Sequence, residues 1–401
     1  MTDKIESVPA GGCLVKVPGD DQRLTADIPT LCVQSHAANL MPLPNGDLAC
    51  VWFGGSQEGV ADISIYFSRL AKGASCWTVP QKLSDDPTRS EQNPILFAAP
   101  GGKLWLLYTA QKSGNQDTAI VRYRISDDNG ESWGEVATLF DKPGTFVRQP
   151  VVVLDNGDWL VPVFYCRTQP GEKWVGNNDI SAVRISSDRG ATWSEYEVPD
   201  SVGCVHMNVE QLADGSLLAF FRSRWADHIY TSRSTDRGRS WSAPVAMSLP
   251  NNNSSIQFTQ LANGHLAMVF NDISAAQATE RRVSLYDEIE DSEDAAEEGD
   301  DVAAPAVEPI ASPSGKTAFW GTPRAPMTLA ISEDGGKTWP YQRNLDVGDG
   351  YCMTNNSQLQ LNREFSYPSI KQTPDGALHI AYTYFRQHIK YVRVAEDWVR
   401  G

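Results

Sequence analysis

Short apolar runs separated by glycine turns follow one another along almost the whole chain of 401 residues. Each run is rich in Leu, Val, Phe, Trp and Tyr and follows a turn of the type Asn-Gly, Asp-Gly or Gly-Gly. Runs of this length between turn residues are typical of β-strands rather than helices. The six runs span residues 48–53, 104–109, 159–165, 217–221, 266–270 and 378–382.

A second pattern, S-x-D-x-G-x-[ST]-W, recurs at residues 126–133, 186–193, 234–241 and 332–339. Its Ser and Asp side chains can bond nearby backbone N–H groups, its Gly supplies a positive φ, and its Trp can pack beneath the turn. The same aspartate recurs in every copy, namely Asp128, Asp188, Asp236 and Asp334. We therefore expect these four residues to hold the turns rather than to catalyse a reaction or bind calcium.

The two patterns together define six units of roughly fifty residues each. Regular repetition of short strands predicts an all-β fold, a six-bladed β-propeller of four-stranded antiparallel blades. We expect one propeller domain over residues 1–401. Residues before Ala37 are expected to supply a strand that closes the ring.

The fifth unit is longer than the others, because an insertion lies between Asn271 and Pro326. Ten acidic and no basic residues fall within residues 287–301, which account for most of the net charge of −16. The segment has few apolar residues to offset the entropy of ordering, so residues 273–323 are predicted to be an acidic, disordered insertion. A lid or a partner-binding tail is the alternative. The remainder of the chain is mildly acidic, which argues against nucleic acid as a partner.

The composition also bears on location and cofactors. The first fourteen residues lack the apolar core of a signal peptide, and no apolar run is long enough to cross a membrane, which predicts a cytoplasmic protein without a membrane partner. The seven cysteines are scattered and are expected to be free thiols in a reducing cytosol. Histidines and cysteines do not occur at metal-ligand spacing, so no cofactor is predicted.

Candidate chemistry lies on the innermost strands, because these strands converge on the axis of a propeller. Nine residues before the six leading glycines stand Ala37, Gln92, Arg148, His206, Ser255 and Tyr367, and His36 precedes the first of them. Five of the six are polar, and an unpaired buried polar group costs about 1–3 kcal/mol. A polar ligand site explains them, with a water-filled funnel as the alternative. Further polar residues nearby are Asn93, Asn208, Arg222, Arg224 and Arg324.

The repeated turns and the six units resemble the sialidase superfamily, whose repeats are called Asp-boxes. This resemblance implies three arginines on the substrate carboxylate, a nucleophilic tyrosine paired with a glutamate, and an aspartate as acid/base. Tyr367 matches the nucleophile by its distance to Gly376, and Arg222 and Arg324 match the second and third arginines.

Three positions depart from the family pattern. The first arginine aligns with His36, the glutamate partner aligns with His206, and the acid/base position falls in the loop 54–59, where Glu58 is the nearest titratable residue. A histidine could serve as the base for the tyrosine. The expected catalytic residues are Tyr367, His206, Glu58 and His36. The expected substrate-binding residues are Arg222, Arg324, Arg148, Gln92, Asn93, Asn208, Arg224 and Asp62.

Residues 35–37 and 52–55 are also similar to Asp-box propellers that are uronate lyases, including rhamnose–glucuronate lyases. Three functions therefore stand beside one another. The first is hydrolysis that removes a terminal acidic sugar, sialic acid-like or uronate-like, from an oligosaccharide. The second is β-elimination at a uronate, and the third is glycan binding without catalysis. Titratable residues on the axis favour an enzyme, and an acidic oligosaccharide is the predicted partner.

Overall fold

The computed structural model describes residues 12–168, 172–278, 315–351 and 357–401, and its regular elements are almost all β-strands. They form six antiparallel sheets, the blades of a propeller, which confirms the predicted fold. Blades one and two contain β3 (Gln34–Pro42), β4 (Leu48–Gly55), β5 (Ser64–Leu70), β6 (Gln81–Lys82), β7 (Arg89–Ala98), β8 (Leu104–Lys112), β9 (Asn115–Ser126) and β10 (Ala137–Phe140). Blades three and four contain β11 (Thr145–Phe146), β12 (Val152–Val153), β13 (Trp159–Tyr165), β14 (Ile180–Ser186), β15 (Ser194–Glu197), β16 (Cys204–Gln211), β17 (Leu217–Ser223), β18 (His228–Ser234) and β19 (Val245–Pro250).

Blades five and six complete the ring. They contain β20 (Gln257–Gln260), β21 (Leu266–Asn271), β22 (Met327–Ser332), β23 (Tyr341–Asp346), β24 (Phe365–Gln372), β25 (Leu378–Tyr384) and β26 (His388–Val394). Short 3-10 helices lie at Ala275–Gln277, Ser357–Leu359 and Glu396–Arg400. In the part of the chain that the structure describes, no helix has the length and apolar character needed to cross a membrane.

The N-terminal segment closes the ring, as the sequence predicts. Strand β2 (Asp20–Ile28) pairs with β26, and β1 (Val15–Val17) pairs with β2 at the outer edge of blade six. The hydrophobic core lies between neighbouring blades, where Val51 and Phe53 of blade one share a cluster with Leu104 and Leu106 of blade two. Because the second strand of each blade is covered on both faces, its sequence is a continuous apolar run rather than an alternating one.

The predicted blade-five insertion is described only at its two flanks. Residues 279–314, which include its acidic centre, lie outside the described residues. The described flank at 315–323 packs on blades three and four, and the disorder of the insertion stays a prediction. Ala318 N donates to Asn177 Oδ1 at 2.7 Å, and Trp320 Nε1 donates to Val175 O at 3.0 Å. These bonds place an aromatic side chain of the insertion close to the propeller axis.

The repeated turn joins the third strand of a blade to its outermost strand, and its aspartate bonds within the turn as predicted. In the copy at residues 186–193, Asp188 accepts hydrogen bonds from Thr192 Oγ1 at 2.6 Å and from Thr192 N at 2.8 Å. Ser186 Oγ accepts from the N–H of Gly190, whose φ is +90°. The four aspartates thus stabilise the turns, and the conformation needs a glycine at this position.

These bonds predict an acid-dependent contribution to stability. Hydrogen bonds from Thr192, and then from Ser186, lower the pKa of Asp188 from 3.8 to about 2. The contribution of Asp188 to stability is fully present above pH 3.8 and disappears as the pH falls through about 2. We expect Asp188→Asn to lower the unfolding temperature at neutral pH, and the difference from the wild type to shrink over this interval. A difference that stays constant with pH would contradict the assignment, and Asp200→Asn, at an exposed residue, is the control.

A disulfide links the N-terminal segment to blade one. Cys13 is bonded to Cys76, and beside it Leu14 N donates to Ser75 O at 2.7 Å. The expectation that all cysteines are free thiols is wrong for this pair, since the two residues are brought together by ring closure, which spacing does not reveal. Disulfides persist in oxidising compartments, and the cytoplasmic location stays a prediction. The described free cysteines are Cys32, Cys50, Cys166 and Cys204.

Removing this cross-link should destabilise the closed ring. The bonded residues are 63 positions apart, and closing a loop of that length in the unfolded chain is worth up to about 4 kcal/mol. We expect the double variant Cys13→Ser/Cys76→Ser to lose about 2–4 kcal/mol of unfolding free energy in a denaturant titration. Cys32→Ser, which removes a free thiol, should behave like the wild type. Equal unfolding midpoints for the double variant and the wild type would contradict the prediction.

Candidate functional site

A cavity lies at the axis where the innermost strands converge. Eight of the predicted residues line it, namely Glu58, Gln92, Asn93, His206, Arg222, Arg224, Arg324 and Tyr367. The remaining lining residues, which the sequence patterns did not reveal, are Gln116, Phe146, Phe164, Trp320 and Arg386. The cavity therefore combines arginines and aromatic rings with one carboxylate among the described lining residues, that of Glu58.

Bulges in the innermost strands set the direction of two central side chains. His206 and Tyr367 have φ values of +53° and +52°, and the strand register shifts at both positions. Ala37 and Asn93 adopt the same conformation at the bulges of blades one and two. Such values are costly for residues other than glycine and cluster at functional sites. The position nine residues before the leading glycine is thus a bulge in blades one, four and six, while in blade two the bulge falls one residue later.

Tyr367 lies at the centre of a chain of aromatic contacts. Its ring centroid is 4.3 Å from that of His36 and 5.6 Å from that of His206, which in turn lies 4.8 Å from Phe164. The Tyr367 oxygen accepts a hydrogen bond of 2.6 Å from Arg222 Nη1. A guanidinium donor at this distance is placed to stabilise negative charge that develops on the oxygen during a reaction.

Both histidines beside Tyr367 are fully buried and are held in the neutral form. Burial, and then the charges of surrounding arginines, lower the pKa of His36 and of His206 well below the ordinary value. His206 Nε2 lies 3.4 Å from Arg222 Nη1, and since arginine can only donate, this nitrogen is the acceptor. His206 Nδ1 and His36 Nε2 have no hydrogen-bond partner among the described residues. Arg222 therefore lies between His206 and Tyr367. The two residues, which were expected to contact each other directly as base and nucleophile, are connected through this guanidinium.

Arg222 is a buried cation without a carboxylate partner in the described part of the chain. It is 1% exposed, and its Nε donates to Asn253 Oδ1 at 2.8 Å. Burial lowers the pKa of its guanidinium to about 10, so it remains charged at neutral pH. A buried charge is costly unless it is paired, so this part of the cavity suits an anionic group of a ligand.

The other side of the cavity carries a chain of alternating charges. Arg324 Nη1 donates to Glu364 Oε1 at 3.1 Å, and Arg386 Nε donates to the same oxygen at 3.0 Å. Arg386 Nη1 then reaches Glu58 Oε2 at 2.5 Å. Although burial alone would lower it, the pKa of Arg386 is raised by Glu364 and Glu58. Two arginines and two carboxylates thus form one continuous buried network from blade five to the loop of blade one.

Arg224 is paired differently from Arg222. Its guanidinium bonds Asp179 at 2.7 and 2.9 Å, and Asp179 is fully buried. Its carbon Cζ lies 5.1 Å from the ring of Trp320 and 5.3 Å from the ring of Trp174. The charge of Arg224 is therefore compensated within the protein, and the residue joins the aromatic wall of the cavity.

Four predicted site residues do not line the cavity. Arg148 donates to the carbonyls of Ala38, Tyr367 and Pro368 at 3.0–3.2 Å, so its guanidinium braces three blades. His36 lies beneath Tyr367 and bonds Thr383 Oγ1 at 2.8 Å. The other two are Asn208 and Asp62.

Asn208 and Asp62 bond the backbone. Asn208 Oδ1 accepts from Phe258 N at 2.7 Å, just as Asn39 Oδ1 accepts from Leu96 N at 3.0 Å. Both stand two residues after a bulge position and tie one blade to the next. Asp62 Oδ2 accepts from Ser56 N at 3.0 Å, which holds the loop that carries Glu58. Polar residues near the axis thus serve ring assembly as well as the cavity.

Within the described ranges, no group of three or more His, Cys, Asp or Glu side chains is arranged to hold a metal ion.

The chain matches a family model described as a BNR repeat-like domain over residues 46–380. A sialidase from Paraclostridium sordellii is 27% identical over 134 residues, which make up 30% of this chain and 32% of that protein. The match thus spans about a third of the length of this relative.

Solved structures with the same architecture include three with TM-scores near 0.65. A Hadza microbial sialidase, Hz136, has a TM-score of 0.65 at 15% identity over 92% of this chain and 67% of that chain. The NanB sialidase of Streptococcus pneumoniae has 0.64 at 12% identity over 92% and 70%. A protein of unknown function from Dyadobacter fermentans has 0.64 at 16% identity over 96% and 99%. These likenesses show the fold, and because the family match covers more than half of the residues, the chain belongs to the BNR repeat-like domain family.

Proposed function

We propose that the protein cleaves the glycosidic bond of a carboxylate-bearing terminal sugar in the axial cavity. The observation that carries the proposal is Arg222, a buried guanidinium without a carboxylate partner among the described residues, bonded at 2.6 Å to the Tyr367 oxygen. A substrate carboxylate would supply the missing anion and would lie next to the reactive side chain. The sialidases among its relatives support an acidic sugar and a glycosidase-type reaction.

In the hydrolytic form of the reaction, Tyr367 attacks the anomeric carbon and Arg222 stabilises its phenolate. His206 is neutral, and it is the base that removes the tyrosine proton at Nε2 once Arg222, which bridges the two residues in the free protein, turns to the substrate carboxylate. Glu58 donates a proton to the departing oxygen. Water then attacks the anomeric carbon and gives its proton to Glu58, while Tyr367 leaves the sugar and regains its proton from His206. Arg324 and Arg222 hold the substrate carboxylate, and the aromatic wall receives the C–H face of the sugar ring.

Elimination at a uronate is the second candidate, and one observation favours it. No described carboxylate contacts the Tyr367 oxygen, while two neutral histidines contact its ring. In elimination, arginines neutralise the uronate carboxylate, which acidifies the C5 proton, and the neutral His206 removes that proton. The leaving oxygen then departs with the hydroxyl proton of Tyr367.

One assay separates the candidates. The protein is incubated with sialosides and with uronate-terminated oligosaccharides, and both release of new reducing ends and absorbance of an unsaturated uronate are recorded. Sugar release without an absorbance rise supports hydrolysis, and a rise establishes elimination. Binding of these glycans without either signal would overturn the proposal and leave a glycan-binding propeller.

A further inference from the structure

We propose that Arg386 belongs to the substrate-carboxylate site and that Glu58 occupies it in the free protein, so that the incoming carboxylate displaces Glu58 from Arg386. The inference rests on the proposed function and adds to it a coupling between substrate binding and the proton donor. Glu58 and Arg386 lie near opposite ends of the chain, and the sequence pattern did not reveal Arg386.

Arg386 is held rigidly at the wall of the cavity. It follows β25 in the turn before β26, where both Phe385 and Arg386 have positive φ values, +56° and +57°. The turn is fixed by bonds to its neighbours, since Ser35 N donates to Arg386 O and Phe385 N donates to Glu364 O, both at 2.8 Å. The Arg386 side chain is 1% exposed and lines the same cavity as Arg222. Its guanidinium thus lies where the cavity already concentrates cations.

The two carboxylates on Arg386 differ in how firmly they are held. Glu364 is tied to the frame by Arg324, by Arg386 and by Ser366 Oγ, which donates to it at 2.7 Å. Glu58 instead lies in the loop between β4 and β5, and among the described residues Arg386 is the side-chain partner that the structure assigns to it. Displacing Glu58 therefore breaks fewer hydrogen bonds than displacing Glu364 would. The position next to Arg386 that Glu58 vacates already holds a carboxylate in the free protein and can accept the carboxylate of a substrate.

The pairing with Arg386 also controls whether Glu58 can act as a proton donor. In the free protein the Glu58 carboxylate is bonded to Arg386 and is therefore not available to the glycosidic oxygen. The charged and titratable groups around Glu58 and Arg386 are Glu364, Arg324, Tyr367 and the neutral His36. When the substrate carboxylate takes over Arg386, Glu58 loses its cation and gains a negative neighbour. Glu58 is thereby released from its ion pair and becomes free to act on the glycosidic oxygen.

The proposal makes an unusual prediction for Glu58→Gln. Loss of a catalytic acid abolishes turnover, but loss of an internal competitor should also tighten binding of the acidic sugar. We expect the affinity of Glu58→Gln for the free acidic monosaccharide, measured by calorimetry, to rise by about tenfold over the wild type. Glu131→Gln removes an exposed carboxylate that pairs with Arg69 outside the cavity and should leave the affinity unchanged. The methyl ester of the sugar lacks the charge and should bind both proteins equally.

The outcomes distinguish this inference from the proposed function. If the wild type neither cleaves nor binds acidic sugars, the proposed function fails. If the wild type cleaves the sugar and Glu58→Gln binds it with unchanged or weaker affinity, the competition between Glu58 and substrate is refuted while the function stands. A gain in affinity for the ester as large as for the acid would likewise overturn it, because the effect would not depend on the carboxylate.

Discussion

Replacing Tyr367 by Phe is expected to lower turnover of the acidic glycan by at least about 10³-fold while the protein stays folded. The substitution removes one oxygen, which accepts the 2.6 Å bond from Arg222 and is the reacting atom in both candidate reactions. A hydrogen bond to a charged group contributes about 1.5–3 kcal/mol, less than the roughly 5–15 kcal/mol that typically holds a domain together. Steady-state kinetics and thermal unfolding of the variant check the two parts of the prediction.

Tyr382→Phe is the matched control for this experiment. Tyr382 is buried in the same blade, and its hydroxyl donates to Asp346 Oδ2 at 2.5 Å, but it does not line the cavity. The control should lose comparable stability and keep its turnover. If Tyr367→Phe retains near wild-type turnover, the axial assignment of the reaction is wrong, whichever mechanism applies.

Replacing Asp179 by Ala is expected to cost about 3–5 kcal/mol of unfolding free energy, because Arg224 would remain buried without its anion. Asp179 is fully buried, and besides Arg224 it accepts hydrogen bonds from Trp174 Nε1 at 2.9 Å and from Arg167 N at 3.2 Å. Its loss therefore also releases the aromatic wall of the cavity. Denaturant titration measures the loss of stability, and a raised KM would report the loosened wall.

Asp155→Ala is the control for burial. Asp155 also pairs with an arginine, Arg237, at 2.9 Å, but both side chains are about half exposed. An exposed pair is screened by water, so this variant should lose far less stability than Asp179→Ala. Equal losses of unfolding free energy for the two variants would contradict the prediction that burial makes the Arg224–Asp179 pair more costly to break.

The fold could be predicted because its signals repeat. Each blade carries its own glycine turn and apolar strand, and counting from Gly376 or Gly215 along a strand of regular rise placed Tyr367 and His206 near the axis. The repeat also assigned the aspartates to the turns. The repeats did not predict the disulfide, because Cys13 and Cys76 are brought together by closure of the ring and not by a local sequence pattern.

Most of the predicted site residues lie on innermost strands or at positions that can be counted from a repeated glycine or turn, as Arg222 and Arg324 do. Arg386 comes from a turn between outer strands, and Trp320 comes from the flank of an insertion that composition marks as disordered. Neither stands at a repeated position. Conversely, Arg148 was expected to bind substrate, but it bonds backbone carbonyls. A polar residue near the axis can satisfy a ligand or a neighbouring blade, and residue type alone does not distinguish the two.

The central claim is tested most directly by a crystal structure of the Tyr367→Phe variant in complex with a disaccharide that ends in an acidic sugar. The expected result is an acidic sugar in the axial cavity, with its carboxylate within hydrogen-bond distance of Arg222 and Arg324 and with the substituted aromatic ring at position 367 facing the sugar ring. A sugar bound outside this cavity, or one whose carboxylate points away from these arginines, would contradict the central claim.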